Sequence, residues 1–209
     1  MPQDTAPASR LLSSWAGPRP EGGTKVIRKD DALLVVIDVQ EKLLPHIAEH
    51  ERVTAQIQKL IDGFLIAGAP ALATEQYRKG LGPTHPALID SLTRNHPESF
   101  APIEKMTFGC CAHPPFLEAI ERLGRSQVVL SGIEAHVCVL QTALQLRALG
   151  RETYIVADAI SSRDPRNVEI ALRRMEQEGV RWTSVEMSVF EMLHESGTPA
   201  FKAWSQRIR

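Results

Sequence analysis

Apolar residues first form a continuous run and then a helical repeat along this chain. Residues 32–37 are six consecutive apolar positions, which is typical of a strand buried on both faces of a parallel sheet. A helical repeat of apolar residues follows this run and ends at Gly68. Residues 70–74 are predicted to form a second strand. The residues at helical spacing between these strands are Val53, Ile57, Leu60, Ile61, Phe64 and Leu65.

The alternation of strands and helices continues toward the C-terminus. Further strands are predicted near Ile103 and over residues 128–133, 154–157 and 182–185. Helices are predicted over residues 116–123, 139–149, 165–177 and 189–193, and Asp164-Pro165 supplies an N-cap and a first-turn proline to the third of these. Residues 75–100 contain several Gly and Pro, so we expect an irregular segment with room for one short helix. This pattern predicts an α/β fold, a three-layer α-β-α sandwich around a mostly parallel central sheet.

The first 30 residues differ from the rest because they are rich in Pro and Gly and have little apolar periodicity. We expect residues 1–30 to form a flexible extension and residues 31–209 to form one domain, a normal size for a single domain. A second interpretation is that the extension docks on a partner subunit through Leu11, Leu12 and Trp15.

The charge balance excludes some classes of partner. The chain has 24 Lys plus Arg and 25 Asp plus Glu, a net charge of −1, so no global field attracts nucleic acid or an anionic membrane. The apolar runs are too short to span a bilayer, and the N-terminus lacks a secretory signal pattern. Three cysteines, an odd and low number, favour a reducing compartment. We therefore expect a cytoplasmic protein without a nucleic-acid or membrane partner.

Three reactive residue types lie near predicted strand ends, where parallel sheets bind their ligands. Asp38 directly follows the first strand, and a desolvated carboxylate is a suitable base. Lys105 follows the third strand and can stabilise negative charge. Cys138 lies in the first turn of the helix after strand 128–133, where free N–H groups stabilise a thiolate. Taken singly, each residue also fits an ordinary role: a helix cap, a surface lysine or a buried structural cysteine.

Other candidate residues give weaker indications. His136 lies two residues before Cys138 and would not face it on a helix, so a packing or rim position is expected. Cys110 and Cys111 are expected to pack in a loop or helix start, with a redox pair as the alternative. The segment 75–100 contains no Asp-x-His spacing, and no nucleotide-binding motif occurs in the chain. We therefore expect no metal and no cofactor.

Together these residues resemble the isochorismatase-like cysteine hydrolases. The resemblance rests on Asp38 after a buried strand, Lys105, and the segment Gly132-Ile-Glu-Ala-His-Val-Cys138, and it covers roughly residues 30–195. The segment EQYRKGLGPT at residues 75–84 is similar to the isochorismatase domain-containing branch, as is SVEM at residues 184–187.

The resemblance implies a Rossmann-like topology and an Asp–Lys–Cys triad, which maps here onto Asp38, Lys105 and Cys138. It also implies a cis peptide bond between Ile133 and Glu134, and an oxyanion hole formed by the backbone N–H groups of Glu134 and Cys138. A homo-oligomer is implied as well.

The function that we expect is metal-independent hydrolysis of an amide-like C–N bond of a small molecule, through a thioester on Cys138. The substrate pocket would be lined by Gln40, Tyr77, Phe108 and His136. The Asp-x-His metal motif of related nicotinamidases is replaced by Glu75-Gln-Tyr77, and isochorismatases that cleave a vinyl ether often lack the cysteine. Two alternatives remain open: a non-catalytic scaffold that binds another protein, and a thiol redox protein that uses Cys138 with Cys110 or Cys111.

Overall fold

The computed structural model describes residues 26–94 and 101–208. Residues 1–25 of the expected extension, with both interpretations of Leu11, Leu12 and Trp15, lie outside the described residues. Ile27 is completely buried, and its N–H group donates a hydrogen bond of 2.7 Å to Glu191 Oε2. This residue therefore packs against the folded body of the chain.

Six parallel strands form one central sheet with the order β3-β2-β1-β4-β5-β6. The prediction of a three-layer sandwich is confirmed. The direction of strand addition reverses between β1 and β4, which is the switch point where doubly wound sheets bind ligands. The strands are β1 Ala32–Ile37, β2 Ala71–Gln76, β3 Ile103–Lys105, β4 Gln127–Ile133, β5 Glu152–Ser161 and β6 Arg181–Thr183.

Helices cover both faces of the sheet. They are α1 His50–Ala67, α2 Arg78–Leu81, α3 Pro86–Thr93, α4 Pro114–Leu123, α5 Leu140–Ala148, α6 Pro165–Gln177, α7 Val185–Leu193 and α8 Pro199–Arg207. Buried side chains of α1, α3, α7 and α8 pack with Leu34 and Val36 on one face, and those of α4, α5 and α6 pack with Leu33 and Val35 on the other. Because β1 is covered on both sides, its sequence is a continuous apolar run. Among the described residues, no helix is both long and apolar enough to cross a membrane.

The C-terminal prediction was wrong in two respects. Strand β6 ends at Thr183, and the following Ser184 accepts a hydrogen bond from the N–H of Met187, so it caps a helix and ends the strand. The helix predicted over 189–193 is not the last one, because α8 follows it. Thr198 Oγ1 caps α8 at 3.1 Å from the Phe201 nitrogen, and a proline follows this cap as it follows Asp164 in α6.

Three other boundaries differ from the predictions. Residues 75–94 contain two short helices, α2 and α3, where one was expected, and β5 is longer than residues 154–157. The helix predicted over 139–149 is preceded by a π-helical turn, Ala135–Val139. The Glu134 carbonyl accepts hydrogen bonds from Val137 N at 3.0 Å and Val139 N at 3.3 Å, and these bonds start the helical turn four residues earlier than its apolar pattern indicates.

Replacing Trp204 by Ala should strongly destabilise the fold, since this side chain of α8 is completely buried and packs edge-on against Phe190 with ring centroids 6.4 Å apart. We expect a loss of about 3–5 kcal/mol in the free energy of unfolding. Trp182→Ala is the matched control because Trp182 is 43% exposed, and it should cost about 1 kcal/mol or less. Urea unfolding followed by circular dichroism measures both, and equal losses would contradict the packing of α8.

Candidate active site

Asp38 lies directly after β1 and is completely buried. Its backbone adopts a left-handed conformation with φ of 52°. Its Oδ1 accepts a hydrogen bond of 2.7 Å from Thr74 Oγ1, and its Oδ2 accepts one of 2.6 Å from Lys105 Nζ. Both carboxylate oxygens therefore have partners, and the side chain is fixed at the switch point of the sheet.

Lys105, the last residue of β3, buries its ammonium group among oxygen atoms. Its Nζ lies 2.6 Å from Asp38 Oδ2 and 2.9 Å from Gln76 Oε1. The carbonyl oxygens of Thr107 and Phe108 each lie 3.2 Å from the same nitrogen. A buried charge is tolerated when it is paired and hydrogen-bonded in this way. The lysine thus compensates the Asp38 charge inside the protein.

Cys138 lies on the π-helical turn that follows β4 and is 7% exposed. Burial raises the pKa of its thiol well above the usual value, and the negative charge of Asp38 raises it further, while Lys105 acts in the opposite direction. A hydrogen bond to Asp38 also favours the protonated thiol. The structure therefore brings Asp38, Lys105 and Cys138 together, with a carboxylate beside a thiol that holds its proton at neutral pH.

The backbone between β4 and Cys138 has a special conformation. The Ile133–Glu134 peptide bond is cis. Gly132 has φ of 116°, and a Cβ atom at this position would collide with the backbone of Ile37 on the neighbouring strand. The backbones of β1 and β4 therefore approach each other closely just before Asp38 and the turn that carries Cys138.

The four predicted pocket residues take different positions. Gln40 is buried, and its amide is engaged by backbone groups: Oε1 accepts from Gln76 N at 2.7 Å, and Nε2 donates to the Gly82 carbonyl at 2.6 Å. Tyr77 is 45% exposed and Phe108 is 55% exposed, each just beyond a strand end. His136 is partly buried, and its Nδ1 lies 2.9 Å from Ser162 Oγ. Tyr77, Phe108 and His136 thus lie at the carboxyl edge of the sheet. Gln40 is instead buried beneath this edge, where its amide holds the backbone of Gln76 and Gly82.

The polar residues of β2 that contact the predicted triad were not predicted from the sequence. Thr74 contacts Asp38, and Gln76 contacts Lys105. The two are separated by one residue, so a strand places their side chains on the same face. The alternation of side-chain direction along β2 was the signal that could have indicated Thr74 and Gln76, once β2 was known to lie next to β1. Arg163, which binds Glu134, was also missed because it follows β5 in a loop without a motif.

The other two cysteines are close to the site but are poorly suited to redox chemistry. All three cysteines are free. Burial raises the pKa of Cys110 to about 11 and that of Cys111 to about 12, which disfavours the thiolate that disulfide exchange requires. Thr142 Oγ1 accepts from Cys110 N at 3.0 Å and donates to the Cys138 carbonyl at 2.7 Å. Cys110 therefore packs behind Cys138. No cluster of His, Cys, Asp and Glu suited to a metal ion occurs in the described ranges.

Comparison with known proteins identifies the family. The isochorismatase domain model matches residues 32–187. The chain belongs to the isochorismatase family. This family consists generally of hydrolases, and the matched region contains the whole Asp38–Lys105–Cys138 cluster.

Several known proteins are similar to most of this chain. Isochorismatase domain-containing protein 2 of Danio rerio is 34% identical over 172 residues, 82% of this chain and 83% of the relative. The structure of MAR1 ribonuclease from Caenorhabditis elegans is 35% identical, with a TM-score of 0.81 over 88% of this chain and 92% of that one. YcaC from Escherichia coli, described as an octameric hydrolase of unknown specificity, is 21% identical, with a TM-score of 0.74 over 83% of this chain and 84% of that one.

Replacing Asp38 by Asn should lower the pKa of Cys138, because the carboxylate charge that raises it is removed while the Lys105 charge stays. Thr74→Val is the matched control, since it removes a hydrogen bond to Asp38 but keeps the charge, and it should shift this pKa much less. The rate of iodoacetamide labelling of Cys138 against pH, read by peptide mass spectrometry, measures the pKa. An unchanged or higher pKa in Asp38→Asn would contradict the electrostatic assignment.

Proposed function

We propose that this chain is a metal-independent cysteine hydrolase that cleaves an amide-like C–N bond of a small molecule. The observation that carries the proposal is the buried Asp38–Lys105 pair beside Cys138 at the switch point of the sheet. A thiol that holds its proton needs a base, and the neighbouring carboxylate supplies one.

In the first half of the reaction, Asp38 accepts the Sγ proton of Cys138 as the sulfur attacks the carbonyl carbon. The backbone N–H groups of Glu134 and Cys138 donate to the developing oxyanion, and removal of one such donor typically costs about 100- to 1,000-fold in rate. Protonated Asp38 then donates its proton to the leaving nitrogen. The C–N bond breaks, the amine departs, and a thioester to Cys138 Sγ remains.

In the second half, Asp38 accepts a proton from a water molecule that attacks the thioester carbon. The C–S bond breaks, the acid departs, and the proton returns from Asp38 to the Cys138 sulfur. Lys105 Nζ donates to Asp38 Oδ2 and stabilises the Asp38 carboxylate whenever it is charged. No external oxidant, reductant or metal takes part in this sequence.

The remaining parts of the proposal concern the surroundings of the site. Tyr77, Phe108 and His136 would contact the substrate from the loops, and Gln40 would position the segment after β2. The octameric state of YcaC supports a homo-oligomer, and the three free cysteines support a reducing, cytoplasmic location. A scaffold would not require a buried ion pair beside a cysteine, and the raised pKa values of Cys110 and Cys111 do not support a redox protein.

Cys138→Ala should lower turnover by about 1,000-fold or more because it removes the nucleophile. The assay measures ammonia release from a panel of small primary amides with the full-length chain, and intact-mass spectrometry looks for an acyl adduct on Cys138. Cys111→Ala is the control and should keep its turnover.

Two results would overturn this proposal. One is hydrolysis, by the Cys138→Ala variant, of the same amides that the unchanged protein hydrolyses. The other comes from an RNA oligonucleotide, which is included because a structural relative is called a ribonuclease. Cleavage of that RNA without hydrolysis of any amide would assign a different reaction to the site.

A further inference from the structure

A cavity of about 380 Å³ lies between α1, the end of α3 and α8. Helix α1 begins at the carboxyl edge of the sheet, because Ala48 N, just before it, donates to the Ser162 carbonyl just after β5. Asp62, which lines the cavity, follows the first residue of α1, His50, by 12 residues, roughly 18 Å along the helix axis. The cavity is therefore separate from the proposed active site.

Asp62 holds two arginines at this cavity, one at the end of α3 and one in α8. Its side chain is 3% exposed. Its Oδ1 accepts a hydrogen bond of 2.9 Å from Arg94 Nη1, and its Oδ2 accepts one of 2.5 Å from Arg207 Nε. The side chains of Arg94 and Arg207 are 55% and 37% exposed. A nearly buried carboxylate thus fixes both guanidinium groups, which remain open to solvent.

The charges around the cavity favour an anion. The charged residues among the described lining are Asp62, Arg94 and Arg207, so one positive charge is left uncompensated. Among the described residues, neither Nη atom of Arg207 has a hydrogen-bond partner. Two N–H groups of an arginine match the two oxygens of a carboxylate. A molecule with a single negative charge would therefore complete the charge balance of this cavity.

The other side of the cavity is mainly apolar. Leu65 and Ile66 of α1 and Ala203 of α8 line it, together with the amide of Gln206. Leu65 and Ile66 are only partly buried, so an alkyl chain placed against them would remove apolar surface from water. An inorganic anion would bind the arginines but would leave this apolar wall uncovered. The cavity therefore fits a molecule that combines one carboxylate with an apolar chain.

We propose that this cavity binds a small aliphatic monocarboxylate. Its carboxylate would contact Arg207 and Arg94, and its alkyl chain would lie against Leu65 and Ile66. The volume is within the range of cavities that bind small molecules, about 300–1,000 Å³. The inference goes beyond the proposed amidase function and does not depend on it, because the cavity shares no described residue with the proposed active site.

Three probes test which features of a ligand the cavity recognises. Hexanoate has both a carboxylate and an alkyl chain, hexanamide has the chain without the charge, and inorganic phosphate has charge without a chain. In isothermal titration calorimetry with the full-length chain, hexanoate should bind about tenfold more tightly than either of the others, since each lacks one set of contacts. Equal affinities for hexanoate and hexanamide, tighter binding of phosphate, or no binding of hexanoate at millimolar concentration would overturn the inference.

Two variants locate the binding. Arg207→Lys keeps a positive charge beside Asp62 but removes the planar fork, so it should weaken hexanoate binding about tenfold. Ala203→Trp keeps both arginines but places a large side chain on the wall of the cavity, and it should weaken binding by about tenfold or more. Arg166→Gln is the control, because it removes an exposed arginine of α6 that pairs with Asp164, and it should leave the affinity unchanged.

The variants also separate this cavity from the proposed active site. Hexanoate affinity that is unchanged in both Arg207→Lys and Ala203→Trp would place the binding elsewhere and overturn the inference. An equal loss in Arg166→Gln would indicate a general effect of charge and would overturn it as well. A loss confined to the two cavity variants would support the inference, whether or not the protein hydrolyses an amide. Circular dichroism of each variant confirms that it is folded before the affinities are compared.

Discussion

The ion pair between Asp38 and Lys105 is the interaction on which the site depends. Both side chains are buried, and their charges are compensated by each other and by oxygen and hydroxyl groups of neighbouring segments. Removal of one partner would leave an unpaired charge inside the protein, which typically costs about 3–5 kcal/mol. The pair also joins the ends of β1 and β3, which are separated in the sheet by β2. Its formation therefore requires that all three strands are in the correct register.

The sheet order explains why these distant residues meet. Asp38 follows β1 and Cys138 follows β4, and these strands are direct neighbours at the switch point. The residues of β2 lie between Asp38 and Lys105, so Thr74 and Gln76 can each bind one member of the pair. The proposed base, cation and nucleophile thus come from three strand ends at one edge, where doubly wound α/β proteins bind their ligands.

The fold could be predicted to a large extent from local patterns, whereas the details of the site could not. The apolar run of β1 and the helical repeat of α1 were sufficient to predict these two elements. A strand buried on both faces is apolar at every position, whereas a helix buried on one face is apolar only at helical spacing. Helix α8 was missed although Thr198-Pro199 is a recognisable helix start. Thr74, Gln76 and Arg163 could not be identified from spacing, because their roles depend on which strands are neighbours. The triad residues were assigned only through their resemblance to a family, since an isolated Asp, Lys or Cys has many ordinary roles.

The close approach of β1 and β4 at Gly132 has a consequence for how new specificities arise in this family. At this position backbone lies against backbone, so no side chain intervenes just before the base and the nucleophile. Tyr77, Phe108 and Arg163, by contrast, project from loops and remain accessible. For the proposed site, substitutions at the loop positions would therefore change which molecule is accepted without moving the reacting atoms. In that proposed arrangement, selectivity and reactivity are encoded in separate parts of the chain, and each could diverge while the other is preserved.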